Sequence, residues 1–216
     1  LVKAGKLGRI YQIRGAYLQD WAGPDTPLMW RFQGDVAGSG ALGDLCAHTI
    51  DAASFITGES ITEIIGAALE TVIKERVILE STGGEISGRG AKTSAKTGPS
   101  TVDDISLFLA KTNSGALCSF EATRLSTGYK NQNRLEIHGD KGAIRFAFER
   151  MNELDFYDAT LPENVQGWST INVTNGGAGH PWAGSWWPVA HVLGYEHSFI
   201  NMAADIVTAI EGGTPI

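Results

Sequence analysis

From Arg9 to Gln19 polar and apolar residues alternate among good β-formers, which predicts a strand ending at Gln19-Asp20-Trp21. A loop with Pro24, Pro27, Trp30 and Arg31 follows, and then the period lengthens. Leu42, Leu45, Cys46, Thr49, Ala52, Ala53 and Ile56 recur at i, i+3, i+4 and i+7, predicting a helix over 41–57 that Gly58 closes. Further strands are predicted near 61–79, 102–112, 115–124, 132–138, 142–149 and 153–158, with a hairpin turn at His138-Gly-Asp-Lys-Gly142. A closing helix over 196–211 would bury Phe199, Met202, Ala203, Ile206 and Ile210. Between Glu80 and Thr101 the chain becomes rich in Ser, Thr, Gly and Lys, which predicts a flexible loop over 81–101 with Arg89, Lys92 and Lys96 solvated.

Many consecutive strands with one early and one late helix predict an α+β domain, an open and largely antiparallel β-sheet with helices on one face. The other face then needs a partner. Ile105, Leu107 and Leu109 alternate with Ser106 and Phe108, so that strand is apolar on both sides, and a closed two-fold dimer or larger homo-oligomer through the open face is expected.

The 41–57 helix carries more than a core stripe. Asp44, His48 and Asp51 are spaced by four and three, within a wedge of roughly 60° at 100° per residue. With the opposite stripe buried, this wedge is expected to face a cleft. A carboxylate one turn from an imidazole fixes the ring's tautomer and raises its basicity, which suits proton transfer near neutral pH. The Gly-rich approach to the helix leaves room for a partner segment to come close. Gly38-x-Gly40-x-x-Gly43 matches the dinucleotide fingerprint, but Arg31-Phe-Gln-Gly-Asp-Val-Ala37 before it is no hydrophobic strand, so no cofactor loop is expected there. Gly88-Arg-Gly-Ala-Lys-Thr93 lacks the Gly-Lys pair and spacing of a phosphate loop.

Composition narrows the partners. The 216 residues are 43% hydrophobic and 19% charged with net charge −7, ordinary for a soluble globular protein and opposed to nucleic acid or an anionic membrane as partner. No apolar run approaches the roughly 20 residues of a membrane span, and no signal-peptide pattern opens the chain. Cys46 and Cys118 make no disulfide framework, and Cys46 belongs to the buried stripe, so a reduced, cytoplasmic protein is expected. The abrupt opening at Leu1 and the stop at a turn after Glu211 lead to the expectation of a piece of a longer protein.

Residues 179–197 hold three tryptophans and three histidines among Gly and Pro. Apolar ring faces against C–H surfaces, with N–H and imidazole groups for hydroxyls, are what a sugar or polyol pocket uses. His180, His191 and His197 are spaced by 11 and 6, which fits no short zinc signature.

Taken together, Gly5-Lys-Leu-Gly-Arg-Ile10, Tyr17-Leu-Gln-Asp-Trp21, Gly40-Ala-Leu-Gly-Asp-Leu-Cys-Ala-His-Thr-Ile-Asp51, Leu135-Glu-Ile-His-Gly-Asp-Lys-Gly-Ala-Ile144 and Gly194-Tyr-Glu-His-Ser-Phe199 resemble the C-terminal domain of the glucose–fructose oxidoreductase/inositol dehydrogenase (Gfo/Idh/MocA) family. The resemblance covers nearly the whole chain, 1–216, and the Asp-x-x-x-His-x-x-Asp helix is its most specific part. It implies an N-terminal dinucleotide-binding domain, absent here, that holds NAD or NADP and supplies a catalytic lysine from a Glu-Lys-Pro motif. The family's final helical segment after Pro215 is also missing, so the expected object is the substrate half of a dehydrogenase trimmed at both ends and inactive alone.

By position Asp44 matches the motif Asp, His48 the proton-transfer His and Asp51 the supporting acid. The implied reaction is hydride transfer between a sugar or polyol hydroxyl carbon and nicotinamide, His48, alone or with the family's lysine, taking the hydroxyl proton and Asp44 orienting it. Gln19, Trp30, Arg31, Lys130, His180, Trp182, Tyr195 and His197 are the candidate substrate contacts, with no metal and no cofactor-binding residue expected in this chain. Two other readings stand beside it: a metal-assisted sugar-modifying enzyme with Asp44, His48 and Asp51 as ligands, and a non-catalytic carbohydrate-binding or assembly module.

Overall fold

The computed structural model describes residues 1–80, 92–175 and 180–214. Chain order is β1 (Ile10–Leu18), a short helix α1 (Gly34–Ala37), a wide helical turn at Leu42–Cys46 that runs directly into α2 (Ala47–Thr57), then β2 (Ile61–Glu70), β3 (Glu75–Leu79), β4 (Thr93–Pro99), β5 (Ile105–Thr112), β6 (Leu117–Thr123), β7 (Gln132–Gly139), β8 (Gly142–Ala147), β9 (Glu153–Asp158), β10 (Trp168–Asn172) and α3 (Tyr195–Gly212). Eight strands form one sheet in the order β10-β9-β8-β7-β1-β6-β5-β2. Every pairing is antiparallel except β1 with β6, where the crossover through α2 brings two parallel strands to the centre. The predicted α+β architecture and largely antiparallel sheet are therefore present.

The core lies between the sheet and α2. Ile13, Phe108, Ala110, Cys118, Phe120, Leu135, Ile137 and Ile144 from the sheet meet Leu45, Cys46, Thr49 and Ala53 from the helix. Close approach depends on Gly15 of β1, where an added Cβ would sit 2.3 Å from Thr49 Cγ2. The start of the helical segment is fixed by a distant residue. Asp103 accepts hydrogen bonds from Gly40 N and Leu42 N, both at 2.7 Å, and its own carbonyl accepts from Ala41 N at 2.9 Å. It satisfies free helix-start N–H groups as a local N-cap would. Gly40 is glycine because a Cβ there would meet the Asp103 carbonyl oxygen at 1.8 Å. The partner that the Gly-rich approach admits is thus this strand-end aspartate.

Several boundaries differ from the sequence reading. The predicted 61–79 strand is two strands in two sheets, because Ile73 N donates to Asp104 Oδ2 at 2.9 Å and turns the chain out of β2. β5 begins at Ile105 rather than 102, since Asp103 and Asp104 are engaged in these contacts. The loop expected over 81–101 contains β4, which pairs with β3, and Lys96 on it is exposed; Arg89 lies outside the described residues. Its Thr- and Ser-rich sequence lacks an apolar face, so no period-2 signal marked it. β10 was likewise unforeseen, being exposed throughout.

The closing helix is present, but its apolar stripe is not buried. Phe199, Met202 and Ile210 are 49%, 52% and 71% exposed, and only Ala209 is buried on α3. Its anchorage is N-terminal, through Tyr195 against Phe148 and Trp186 against His197 and Asn201. On the sheet face away from α2, Leu107, Leu109 and Leu117 are exposed at one end. The other end carries a cross-strand row of charge, Arg14 with Glu136 at 3.0 Å and Arg145 with Asp155 at 2.9 Å. No helix among the described residues is long and apolar enough to cross a membrane.

Removing the Asp103 cap should cost about 1–2 kcal/mol, as loss of a helix cap does, and Gly40→Ala should cost more because backbone must move. Urea unfolding of Asp103→Ala and Gly40→Ala against the unmutated chain checks both; a Gly40→Ala midpoint equal to the unmutated one would show that the contact is soft.

Candidate active site

The helical segment brings Asp44 and His48 to one side of the fold, with Asp44 half-buried and His48 exposed. They do not pair with each other. Leu42–Cys46 is an i→i+5 turn, closed by Ala47 N on the Leu42 carbonyl, so the regular i, i+4 register assumed from sequence is broken at Asp44. Asp44 Oδ2 instead accepts from Arg124 Nη2 at 2.8 Å. The expected fixing of the His48 tautomer by Asp44 is therefore not made. Asp51 is exposed and forms no ion pair among the described residues. Nor do Asp44, His48 and Asp51 gather as a metal-holding group; no such cluster of three occurs among the described residues.

His48 meets the edge of Tyr17, with ring centres 6.0 Å apart. Tyr17 stands on β1 two residues after Gly15, on the strand face that carries the helix. Its phenol donates to Asn131 Oδ1 at 2.8 Å, and Gln19 Nε2 donates to the same oxygen at 2.6 Å. Trp21 Nε1 in turn donates to Gln19 Oε1 at 2.6 Å. Burial, followed by the nearby Tyr195 and then Asp44, pushes the Tyr17 phenol above its ordinary value, so it stays a hydrogen-bond donor at neutral pH.

The other candidates divide by what holds them. Gln19 is in this cluster, though both ends of its amide are engaged. Tyr195 approaches Tyr17 closely enough to influence it, and its ring packs on Phe148 and Phe199. Arg31 stacks on exposed Trp30 at 4.3 Å, and its carbonyl accepts from Arg124 Nη1 at 3.3 Å, which ties that loop to Asp44 through one residue. Lys130 pairs with Asp20 at 2.7 Å and is largely exposed; this bond chiefly holds the Asp20 carboxyl below its ordinary value. His180 Nδ1 accepts from Trp182 N at 3.2 Å, which folds the aromatic loop on itself. His197 Nδ1 accepts from Gly194 N at 3.0 Å while its ring meets Trp186 at 4.5 Å, so it serves the start of α3.

Three residues of this cluster escaped the sequence reading. Tyr17 carried a signal, since the period-2 pattern that puts Gly15 under the helix also puts Tyr17 there. Arg124 carried a weaker one, a charge at the end of an apolar strand. Asn131 carried none.

The comparisons with known proteins decide the kinship. A model of the GFO/IDH/MocA C-terminal domain matches residues 1–145. The chain belongs to this family. Levoglucosan dehydrogenase of Pseudarthrobacter phenanthrenivorans is 40% identical over 216 residues, 99% of this chain and 54% of its own length. An oxidoreductase domain protein from Kribbella flavida superposes with a TM-score of 0.88 at 47% identity, over 99% of this chain and 54% of that one. A levoglucosan dehydrogenase in complex with NADH and levoglucosan gives 0.84 at 37% identity, over 100% and 53%. The chain thus spans about half the length of these relatives.

Beneath the site, burial with Asp103 nearby pushes the Cys46 thiol up to about 12, and burial with Glu59 nearby pushes Cys118 up to about 11. Each native thiol holds its proton where an unfolded one, near 8.5, has lost it. This contribution to stability is complete below about pH 8.5 and is lost as pH rises toward 11–12. Both thiols should resist a disulfide reagent at about pH 8 in the native chain and react once urea unfolds it, and the urea midpoint should fall between about pH 8.5 and pH 10. Rapid native labelling would show that α2 opens readily.

Proposed function

We propose that this chain is the substrate-binding and acid–base half of an NAD(P)-dependent dehydrogenase that oxidises a hydroxyl carbon of a sugar or polyol. The observation that carries the reading is the exposed imidazole of His48 beside the anchored carboxylate of Asp44, on a helical segment whose other side is packed into the core. Kinship with dehydrogenases solved with NADH and levoglucosan or L-sorbose supports the substrate class.

The Gly38–Gly43 segment does not fit a dinucleotide cradle. Around Gly38-x-Gly40-x-x-Gly43, the Gly40 and Leu42 amides are already donated to Asp103, and the space over Gly40 is filled by the Asp103 backbone. A nicotinamide cofactor, when bound, would supply the hydride acceptor. What this chain contributes is position and proton transfer. His48 accepts the hydroxyl proton as the carbonyl forms, and returns it to solvent from its exposed position. Asp44 keeps a carboxylate oxygen one turn away, and the Tyr17 phenol and the Trp30–Arg31 stack offer polar and apolar surfaces for a sugar ring. A packed helix suits this task better than a loop, because an error of about 1 Å costs roughly a hundredfold in rate. Pairing of two copies through the open sheet face belongs to the same reading, supported by exposed Leu107, Leu109 and Leu117.

In the full-length enzyme, with levoglucosan as the first substrate to assay, His48→Ala should lower kcat by roughly 10²–10⁴, the usual contribution of a positioned acid–base group. Steady-state kinetics reads this, and turnover close to the unmutated value would remove His48 from the proton path. The 216-residue chain alone should give no saturable heat with NAD or NADP in titration calorimetry. Micromolar binding of either would place cofactor contacts inside this chain.

A further inference from the structure

We propose that Arg124 is the positioning residue for Asp44, fixing the carboxylate's rotamer from inside the core so that one oxygen remains exposed beside His48. The inference rests on the roles assigned above to Asp44 and His48. Arg124 directly follows β6 and is 1% exposed. Besides donating Nη2 to Asp44, it donates Nη1 to the Arg31 carbonyl and its backbone N–H to the Asp104 carbonyl at 3.1 Å. Its guanidinium lies over the rings of Trp21 and Phe32, at 5.6 and 5.7 Å. A cation held by its backbone, by its fork and by two ring faces does not follow a wandering side chain. The carboxylate must come to it.

Charge makes the pairing exclusive. A second guanidinium, Arg76, lies near enough for the two to repel, and both oxygens of the neighbouring Asp104 are already taken by Arg76 and by Ile73 N. Asp44 is the one ion-pair partner of Arg124 among the described residues. Arginine keeps its proton at any working pH, and a charge-assisted bond of this length is about twice as strong as a neutral one. Only Oδ2 is engaged; Oδ1 accepts no hydrogen bond among the described residues, and the side chain is 35% exposed. The wide turn at Leu42–Cys46 thus trades the i, i+4 contact with His48 for a longer tether to the core.

A double-mutant cycle in the full-length enzyme, assayed with levoglucosan and NAD, tests the proposal. Arg124→Met should lower kcat about 10–100-fold, the loss typical of a misplaced group, with KM for levoglucosan changed less than about twofold. In an Asp44→Asn background the same substitution should add less than about twofold. Losses that multiply independently would overturn the proposal. Arg124→Lys, which keeps the charge and loses the fork, should recover part of kcat. Crystal structures of the 216-residue chain give a readout independent of turnover: Asp44 should change or split its rotamer in Arg124→Met, and an unmoved carboxylate overturns the proposal. If Arg124→Met does not fold, Arg124→Gln, which removes the charge, carries both arms under the same criteria. Near-unmutated turnover in both Asp44→Asn and His48→Ala would remove the catalytic reading itself; damage in those two beside an unharmed Arg124→Met would remove only this inference.

Discussion

Two guanidinium groups lie inside this chain against one phenylalanine ring, and each is matched by one carboxylate. Arg76 is fully buried 3.8 Å from the Phe32 ring, paired with the equally buried Asp104 and donating to the carbonyls of Ala22, Gly23 and Thr26. Arg124 lies over the same ring and pairs with Asp44. Burial pushes the Arg76 guanidinium below its ordinary value, opposed by Asp104, and an arginine at such a site still carries its charge. Breaking a buried pair costs about 3–5 kcal/mol because the surviving charge is stranded. The arrangement therefore fixes which segments meet. The 19–33 loop, the start of β3, the start of β5, the end of β6 and the helical turn at Asp44 must all converge for both cations to be paired.

From that convergence the site follows. Asp103 and Asp104 are adjacent, and they divide the work: one holds the start of the helical segment, the other holds Arg76 and turns the chain after β2. Gly40 and Gly15 remove the two Cβ atoms that would keep the segment away from Asp103 and from β1. The helix is thus clamped at its start and along its inner face, while the side bearing His48 stays open. The proton-transfer role proposed for His48 needs this combination of fixed backbone and accessible ring.

The periphery is built differently. The open sheet face is apolar over β5 and the start of β6 and charged over β7 to β9, and α3 displays Phe199, Met202 and Ile210 to solvent. Large exposed side chains of this kind, in a chain about half as long as its relatives, contrast with the buried apolar cluster beneath α2.

Periodicity marked the half-buried strands of the central sheet and the helix packed on it, because such elements must repeat their apolar residues at 2 and 3.6, and it left out the fully exposed β10. Spacing also singled out Asp44 and His48, the proposed acid–base pair, and the segment before Gly38–Gly43 spoke against a cofactor loop there. The tertiary structure decided the rest through contacts that are local in space and distant along the chain. Arg124 lies 80 residues from Asp44, and Asp103 lies 63 from Gly40. A pattern that assumes a regular helix pairs Asp44 with His48; an irregular turn and a buried cation pair it with Arg124 instead. The buried stripe expected of α3 failed for the converse reason: amphipathic spacing states that a face is to be covered, and only the fold states whether the cover is part of the same chain.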